Sequence, residues 1–282
     1  MRDPGTAGPG GAFHRILSVV ADRRGIDFRD YRPETLRSRL EARMRAVGCV
    51  DLAAYHARLM AERDEVDRLL ESLVLPVTGF FRDGWVFREL AERVLPTLPA
   101  ASGILRAWVV GTATGEEAYT VAMLLAEAAA RQRGRGFEVL ASDLDQRSLE
   151  VARKGLYSDA AVQAVPPDVR KLYLRSEGPD GWRVVDPIRG RVHFAQHDLM
   201  GARLAPREAI VAAFDLVFCR NVLLYFDASL RAKAVERLAA VLEPGGALVI
   251  GVTEALPEDS TGRFTTYPGV RPGAGVFRRA SR

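Results

Sequence analysis

The chain has 282 residues, 48% of them hydrophobic, which is enough for one large domain or two small ones with a true core. No run approaches about 18 uninterrupted apolar residues and the opening MRDPGTAGPGGA lacks the apolar segment of a secretory signal, so a soluble, cytoplasmic protein is expected. Two distant cysteines, Cys49 and Cys219, and four histidines without metal-ligand spacing argue against a disulfide framework and a zinc site, and no metal is expected. The formal charge of +4 is carried almost wholly by arginine, since Lys154, Lys171 and Lys233 are the only lysines. Forked guanidinium groups suit carboxylate or phosphate recognition, and a GC-rich genome produces the same bias.

In chain order, residues 1–12 are Gly/Pro-rich and read as a disordered tail. Residues 13–75 carry helical periodicity broken at Gly25, Arg32-Pro33 and Gly48, which predicts a small all-α domain. In RPETLRSRLEARMRAVG the apolar residues Leu36, Leu40, Met44 and Val47 share one face, flanked by Arg37, Arg39, Arg43 and Arg45. Nine arginines stand against five acids between 13 and 47. Such a face is either solvated or a docking surface for an acidic partner.

A linker over 76–95 contains LPVTGFFRDGWVFRELAERVLP. From 96 onward strands and helices alternate: ILRAWVVG, a helix from Glu116 to about Arg131, FEVLAS, a helix starting near Asp145, VHFAQ, FDLVFC, a helix over 228–242, and GGALVIG. That order predicts an α/β fold with a parallel sheet covered on both faces. The last stretch, GRFTTYPGVRPGAGVFRRA, predicts an antiparallel hairpin.

In an open α/β sheet ligands bind at the carboxyl ends of the strands, near the point where strand order reverses. The first such end, VVGTATGEEAYTVAMLL, offers Gly111 and Gly115 for close backbone approach and then Glu116 and Glu117 at a helix start. The carboxylates repel phosphate and the loop has neither GxGxxG nor GKS/T, so a ligand bearing a cation is expected. Carboxylates in a first turn also simply stabilise the helix through its dipole. Asp143, in LASDLDQRS, falls where nucleotide-binding folds place an acid on the ribose hydroxyls, and Asp145 reads as a helix N-cap. The later ends supply VHFAQHDLM and the Arg220-Asn221 pair after FDLVFC. A ligand with an adenosine, a ribose and a charged amino-acid end draws on all four, and S-adenosylmethionine is that ligand.

Several ordered blocks then carry a family resemblance: TGFFRD (78–83), TGEEAYTVAMLL (114–125), ASDLD (141–145), FDLVFCRNVLLYFD (214–227) and LEPGGALVIGVTEAL (242–256). Over almost its whole length the chain resembles the CheR-type chemoreceptor glutamate O-methyltransferases. The resemblance implies a small all-α N-terminal domain followed by a class I methyltransferase domain over 96–282, Rossmann-like, with a mostly parallel seven-stranded sheet and an antiparallel C-terminal hairpin. It implies that Thr78, Arg82, Glu117, Asp143, Asp198, Leu199, Arg220 and Asn221 surround S-adenosylmethionine and its product S-adenosylhomocysteine, that Tyr225 stands near the transferring methyl, and that the basic N-terminal helix meets the receptor. A small β-subdomain is expected within 181–195. Pro76 stands where the family usually has asparagine, Thr112-Ala113 replaces Cys-Ser, GVTE (251–254) replaces GHSE, and Asp198 stands where many members have asparagine.

The function so implied is methylation of glutamate side chains on the cytoplasmic signalling domain of a chemoreceptor, by a monomer, with neither nucleic acid nor membrane as partner. Two rivals stand beside it. One is an adaptor or sensor of the same fold that binds S-adenosylmethionine or S-adenosylhomocysteine without turnover, motivated by Pro76 and the 112–113 loop. The other is a nucleic-acid methyltransferase, motivated by the calculated pI of about 9.3 and opposed by CRNV standing where base methyltransferases often carry NPPY.

Overall fold

A computed structural model describes residues 9–73, 78–98, 103–131, 136–209, 213–260 and 262–280. The chain divides into two compact units, one of residues 1–76 with Tyr225–Leu230 and one of Val77–Leu224 with Arg231–Arg282.

The first unit is helical, as expected: α1 (Pro9–Arg24), α2 (Pro33–Ala46), α3 (Leu52–Ala61) and α4 (Arg63–Leu73). The first helix begins at Pro9, so residues 9–12 belong to it and not to a disordered tail; a proline at the first helical position loses no hydrogen bond, because that N–H has no partner in the helix. Residues 1–8 lie outside the described residues. Pro33 likewise opens α2, whose Leu36, Leu40 and Met44 are buried as their spacing requires, while Val47 is half-buried just past the end. Asp51 caps α3 by accepting from the Ala54 N–H at 2.7 Å. Val66, Leu69, Leu70 and Leu73 of α4 complete the interior. The unit also buries a charge: Glu65 has no solvent exposure, accepts two hydrogen bonds from Arg43 at 2.9 and 2.7 Å, and takes a third from the Tyr55 hydroxyl at 2.8 Å. Such a group is tolerated only when fully paired.

The second unit opens with α5 (Gly84–Glu89), continued by a π-helical turn at Leu90–Val94. From Gly84 onward the stretch read as a linker is therefore helical, and Phe80, Val86, Phe87, Leu90 and Val94 are part of this unit's core. Then follow β1 (Ile104–Val110), α6 (Glu116–Arg131), β2 (Gly136–Asp143), α7 (Gln146–Lys154), β3 (Leu156–Tyr157), α8 (Pro167–Tyr173), β4 (Leu174–Ser176), β5 (Trp182–Val184), α9 (Asp186–Arg189), β6 (Val192–Gln196), β7 (Phe214–Cys219), α10 (Ala228–Val241), β8 (Leu242–Ile250), β9 (Phe264–Thr266) and β10 (Val276–Arg279).

Seven strands form one sheet in the order β6-β2-β1-β7-β8-β10-β9. The first five run parallel, and β10 pairs antiparallel with both β8 and β9, which is the expected hairpin. Strand β7 is buried at every position, as a strand covered on both faces must be. The expected β-subdomain exists but sits earlier than 181–195: its three strands, in the order β3-β5-β4, span residues 156–184. Strands of two or three residues carry too little alternation to be read from sequence. Among the described residues no helix is long and apolar enough to cross a membrane.

Candidate active site

The chain leaves β1 towards α6 and later returns through β7 on the other side of β1, so strand order reverses between β2 and β7. The loops that follow β1, β2, β6 and β7 are those singled out from sequence. The loop after β1 begins with Gly111 at φ +69°, whose N–H donates to the Ser142 carbonyl at 2.8 Å; a Cβ there would stand 2.4 Å from Val222 Cγ2. Gly111 thus lets the loops after β1 and β7 touch, a role in packing rather than in open approach.

Asp143 ends β2 and is 6% exposed. Its Oδ2 accepts from the Ala113 N–H at 2.8 Å and its Oδ1 from the Asp145 N–H at 3.0 Å. Burial pushes this carboxyl above the usual range, and the backbone N–H groups work against that shift. Each oxygen retains a lone pair for a further donor. Asp145 is the N-cap of α7, accepting from the Arg147 and Ser148 N–H groups at 3.1 Å each.

The two glutamates part company. The Glu116 carboxylate accepts from the Thr114 hydroxyl at 2.7 Å, a local bond at the start of α6. Glu117 Oε2 accepts from Arg220 Nη1 at 2.7 Å. The cation that Glu117 meets within the protein is therefore Arg220. That side chain is wholly buried; its Nη2 also donates to Asp83 Oδ2 at 2.6 Å and to the Arg82 carbonyl at 3.2 Å, and its guanidinium lies 5.4 Å from the Phe87 ring centre. Burial pushes Glu117 upward and Arg220 pulls it back, with the net above the usual carboxylate range. Arg220 thereby ties the end of β7 to the start of α6 and to the 78–83 segment. Thr78 is half-buried in that segment and the Arg82 side chain reaches solvent.

Four non-glycine residues adopt positive φ among the described residues: Phe81 at 49°, Asp83 at 57°, Ala113 at 49° and Asn221 at 60°. All four fall in the three segments that Arg220 and Asp143 hold. Each costs about 1–3 kcal/mol and persists only where the surroundings fix it, which is typical of ligand sites. After β6, Asp198 accepts from the Met200 N–H at 2.8 Å through Oδ1, and Leu199 is buried. Asp83 and Glu254 were missed from sequence. Glu254 Oε2 accepts from the Gly251 and Asn221 N–H groups at 2.7 and 2.9 Å, and Oε1 from the Leu224 N–H at 3.0 Å. A single glutamate in GVTE carries no periodic signal, and two of its three partners, Asn221 and Leu224, lie 33 and 30 residues away.

Two conserved-motif models match the two units in turn. CheR methyltransferase, SAM binding domain, matches residues 76–271, and CheR methyltransferase, all-alpha domain, matches residues 11–74. The chain belongs to the CheR methyltransferase family. Among its relatives, the chemotaxis protein methyltransferase of Escherichia coli is 33% identical over 247 residues, spanning 86% of this chain and 83% of that protein. The chemotaxis protein methyltransferase 1 of Pseudomonas aeruginosa is 33% identical over 226 residues, 78% of this chain and 81% of that protein. A 104.1 kDa protein of Rhodobacter capsulatus is 33% identical over 277 residues; the chain spans 94% of its own length but 28% of that protein.

The residues of this CheR chain fit S-adenosylmethionine by their donor set. Asp143 offers acceptors for ribose hydroxyls, Leu199 an apolar wall, and Arg82 a cation for a carboxylate. Pro76 lies outside the described residues. Tyr225 belongs to the helical unit: its hydroxyl accepts from Arg39 Nη2 at 3.1 Å, and the same guanidinium lies 4.7 Å over its ring. Of the four candidate docking arginines, Arg39 also donates to the Leu73 carbonyl, Arg43 is bound to Glu65, Arg37 lies 4.4 Å over the Phe13 ring, and Arg45 is exposed.

Proposed function

We propose that the protein methylates glutamate side chains on the cytoplasmic signalling domain of a chemoreceptor, as a cytoplasmic enzyme of chemotaxis adaptation. The observation that carries this is the doubly braced Asp143 at the switch point, bonded to Ala113 of the loop after β1, which itself stands in left-handed backbone. The cofactor supplies an electrophilic methyl on a sulfonium; a receptor carboxylate takes it as a methyl ester, the C–S bond breaks and S-adenosylhomocysteine leaves.

The chain's own residues do the holding. Asp143 accepts hydrogen bonds from the ribose hydroxyls, Arg82 pairs with the amino-acid carboxylate, and Asp198 with Leu199 lines the same site. Arg220, buried and paired through its two Nη groups with Glu117 and Asp83, acts by fixing Glu117 and the 78–83 turn. No strong base is required, because an exposed glutamate with a pKa near 4.3 is ionised at neutral pH. Rate enhancement then comes from alignment and water exclusion, effects that together contribute roughly 7–11 kcal/mol in favourable cases. Tyr225 holds the acceptor or the methyl through its hydroxyl. The receptor, an acidic partner on this reading, meets the exposed Arg45 and the guanidinium edge of Arg37.

Two measurements test the reading: calorimetric titration with S-adenosylmethionine, then transfer of labelled methyl to a receptor cytoplasmic fragment. Binding with base-labile label on the fragment is expected. Binding without transfer to any receptor fragment would favour a cofactor-binding adaptor instead, and absence of binding would remove the cofactor assignment altogether.

A further inference from the structure

Glu254 lies beyond β8, outside every segment expected to hold the cofactor, yet it spends both carboxylate oxygens on the backbone of the loop after β7. Its Oε2 accepts from Asn221 N–H at 2.9 Å and from Gly251 N–H at 2.7 Å, and its Oε1 accepts from Leu224 N–H at 3.0 Å. Asn221 holds φ +60°, and Leu224 is the residue before Tyr225. At Gly251 an added Cβ would lie 2.7 Å from Glu254 Oε2 and 3.1 Å from Asn221 Nδ2, so the carboxylate and the Asn221 side chain together fill the space that a side chain at 251 would need. Three N–H groups converging on one side chain have no sheet or helix partner to fall back on.

We propose that Glu254 is a positioning residue of the cofactor site: it locks the loop after β7 so that Asn221 is presented in its left-handed conformation. This rests on the assignment of Asn221 to the cofactor site. Only a carboxylate serves. It presents two oxygens and no donor, whereas a glutamine would turn an NH₂ group towards at least one of the three N–H donors. An aspartate is one methylene too short to reach both loops. Glu254 touches neither cofactor nor acceptor on this proposal and acts through the backbone it holds.

The test compares Glu254→Ala and Glu254→Gln with the wild-type chain by calorimetric titration of S-adenosylhomocysteine, and by amide hydrogen exchange at Asn221, Leu224 and Gly251 without ligand. The expected result is a loss of affinity of about 10- to 100-fold in Glu254→Ala and a smaller loss in Glu254→Gln, with faster exchange at those three amides while β1 and β2 amides keep their protection. Affinity within twofold of wild type in a folded Glu254→Ala chain, or unchanged exchange at Asn221 and Leu224, overturns the proposal. Should Glu254→Ala fail to fold, Glu254→Gln carries the same comparison. A wild-type chain that takes up no S-adenosylhomocysteine refutes the cofactor reading instead, and the exchange measurement still decides whether Glu254 fixes the loop.

Discussion

Arg220 and Glu117 form an ion pair at 2.7 Å in which the guanidinium has no solvent exposure, and Asp83 closes the other side of the same guanidinium at 2.6 Å. One cation thereby holds two carboxylates brought from separate segments, at the end of β7, the start of α6 and the turn before α5. Removing the cation strands both acids. Arg220→Met is expected to destabilise the second unit by about 3–5 kcal/mol, the usual cost of an uncompensated buried charge. Glu117→Gln, which keeps an acceptor for the guanidinium, should cost about 1–2 kcal/mol. Urea unfolding of the two variants and of the double variant checks both figures and their non-additivity.

Asp143 braces Ala113 and Asp145 while keeping lone pairs for a ligand. Asp143→Ala should weaken S-adenosylhomocysteine binding by about 1.5–3 kcal/mol, and calorimetry reads this directly. Equal affinity in a folded variant would take Asp143 out of the site.

Glu65 gives the helical unit a signature in acid. Burial pushes its pKa up, but the bonds from Arg43 and Tyr55 outweigh burial and leave it below the ordinary carboxylate value. Its folded-state pKa is depressed, so its contribution is fully present above the unfolded carboxylate pKa and is lost as pH falls through the lowered folded value. Glu65→Gln should flatten that acid limb in unfolding monitored by circular dichroism, and should lower stability at neutral pH by about 3–5 kcal/mol.

His197 titrates in the other sense. Burial and the nearby Arg237 charge push its pKa down to about 4, and its Nε2 is buried without a hydrogen-bond partner. The folded chain keeps it neutral while the unfolded chain binds a proton from about pH 6.5 downward. Its contribution therefore declines as pH falls from about 6.5 to about 4 and is constant below that. Relative to wild type, His197→Phe should lose on the order of 1–2 kcal/mol of this dependence across that window, measured by unfolding at a series of pH values. Nuclear magnetic resonance titration of the imidazole gives the same answer independently.

The arginines of α2 separate into two classes. Arg43→Glu would set a second acid against Glu65 and should unfold the helical unit, a thermal effect visible without any receptor. Arg45→Glu leaves every described contact intact and should reduce methyl transfer to a receptor fragment several-fold, more at low salt than at high, with cofactor affinity unchanged. Unchanged transfer at low salt would show Arg45 to be a solvated surface charge.

Much of this was legible beforehand. Leu36, Leu40 and Met44 repeat at helical spacing and are buried; α6 runs Glu116–Arg131 as its pattern demands; FDLVFC is the buried β7; Asp145 caps α7. These features are local, because a helix face or a strand is set by residues within one or two turns of one another. Short strands and the helix from Gly84 to Val94 were not legible: β3 has two residues and β4 and β5 three each, and the apolar residues of that helix serve a core that includes β1, α6 and β7.

By itself the sequence determined the order of helices and strands, the strand ends at which polar residues gather, and the family whose motifs those ends carry. Tertiary structure alone decided which charge meets which. That Glu117 takes Arg220 and that Glu254 gathers the N–H groups of Asn221 and Leu224 depend on strands packed side by side in one register, and that Arg43 turns inward to Glu65 while Arg45 faces water depends on how α2 packs on α4. A charged side chain takes the partner that desolvation and distance leave it, and both are fixed only once the chain has closed on itself.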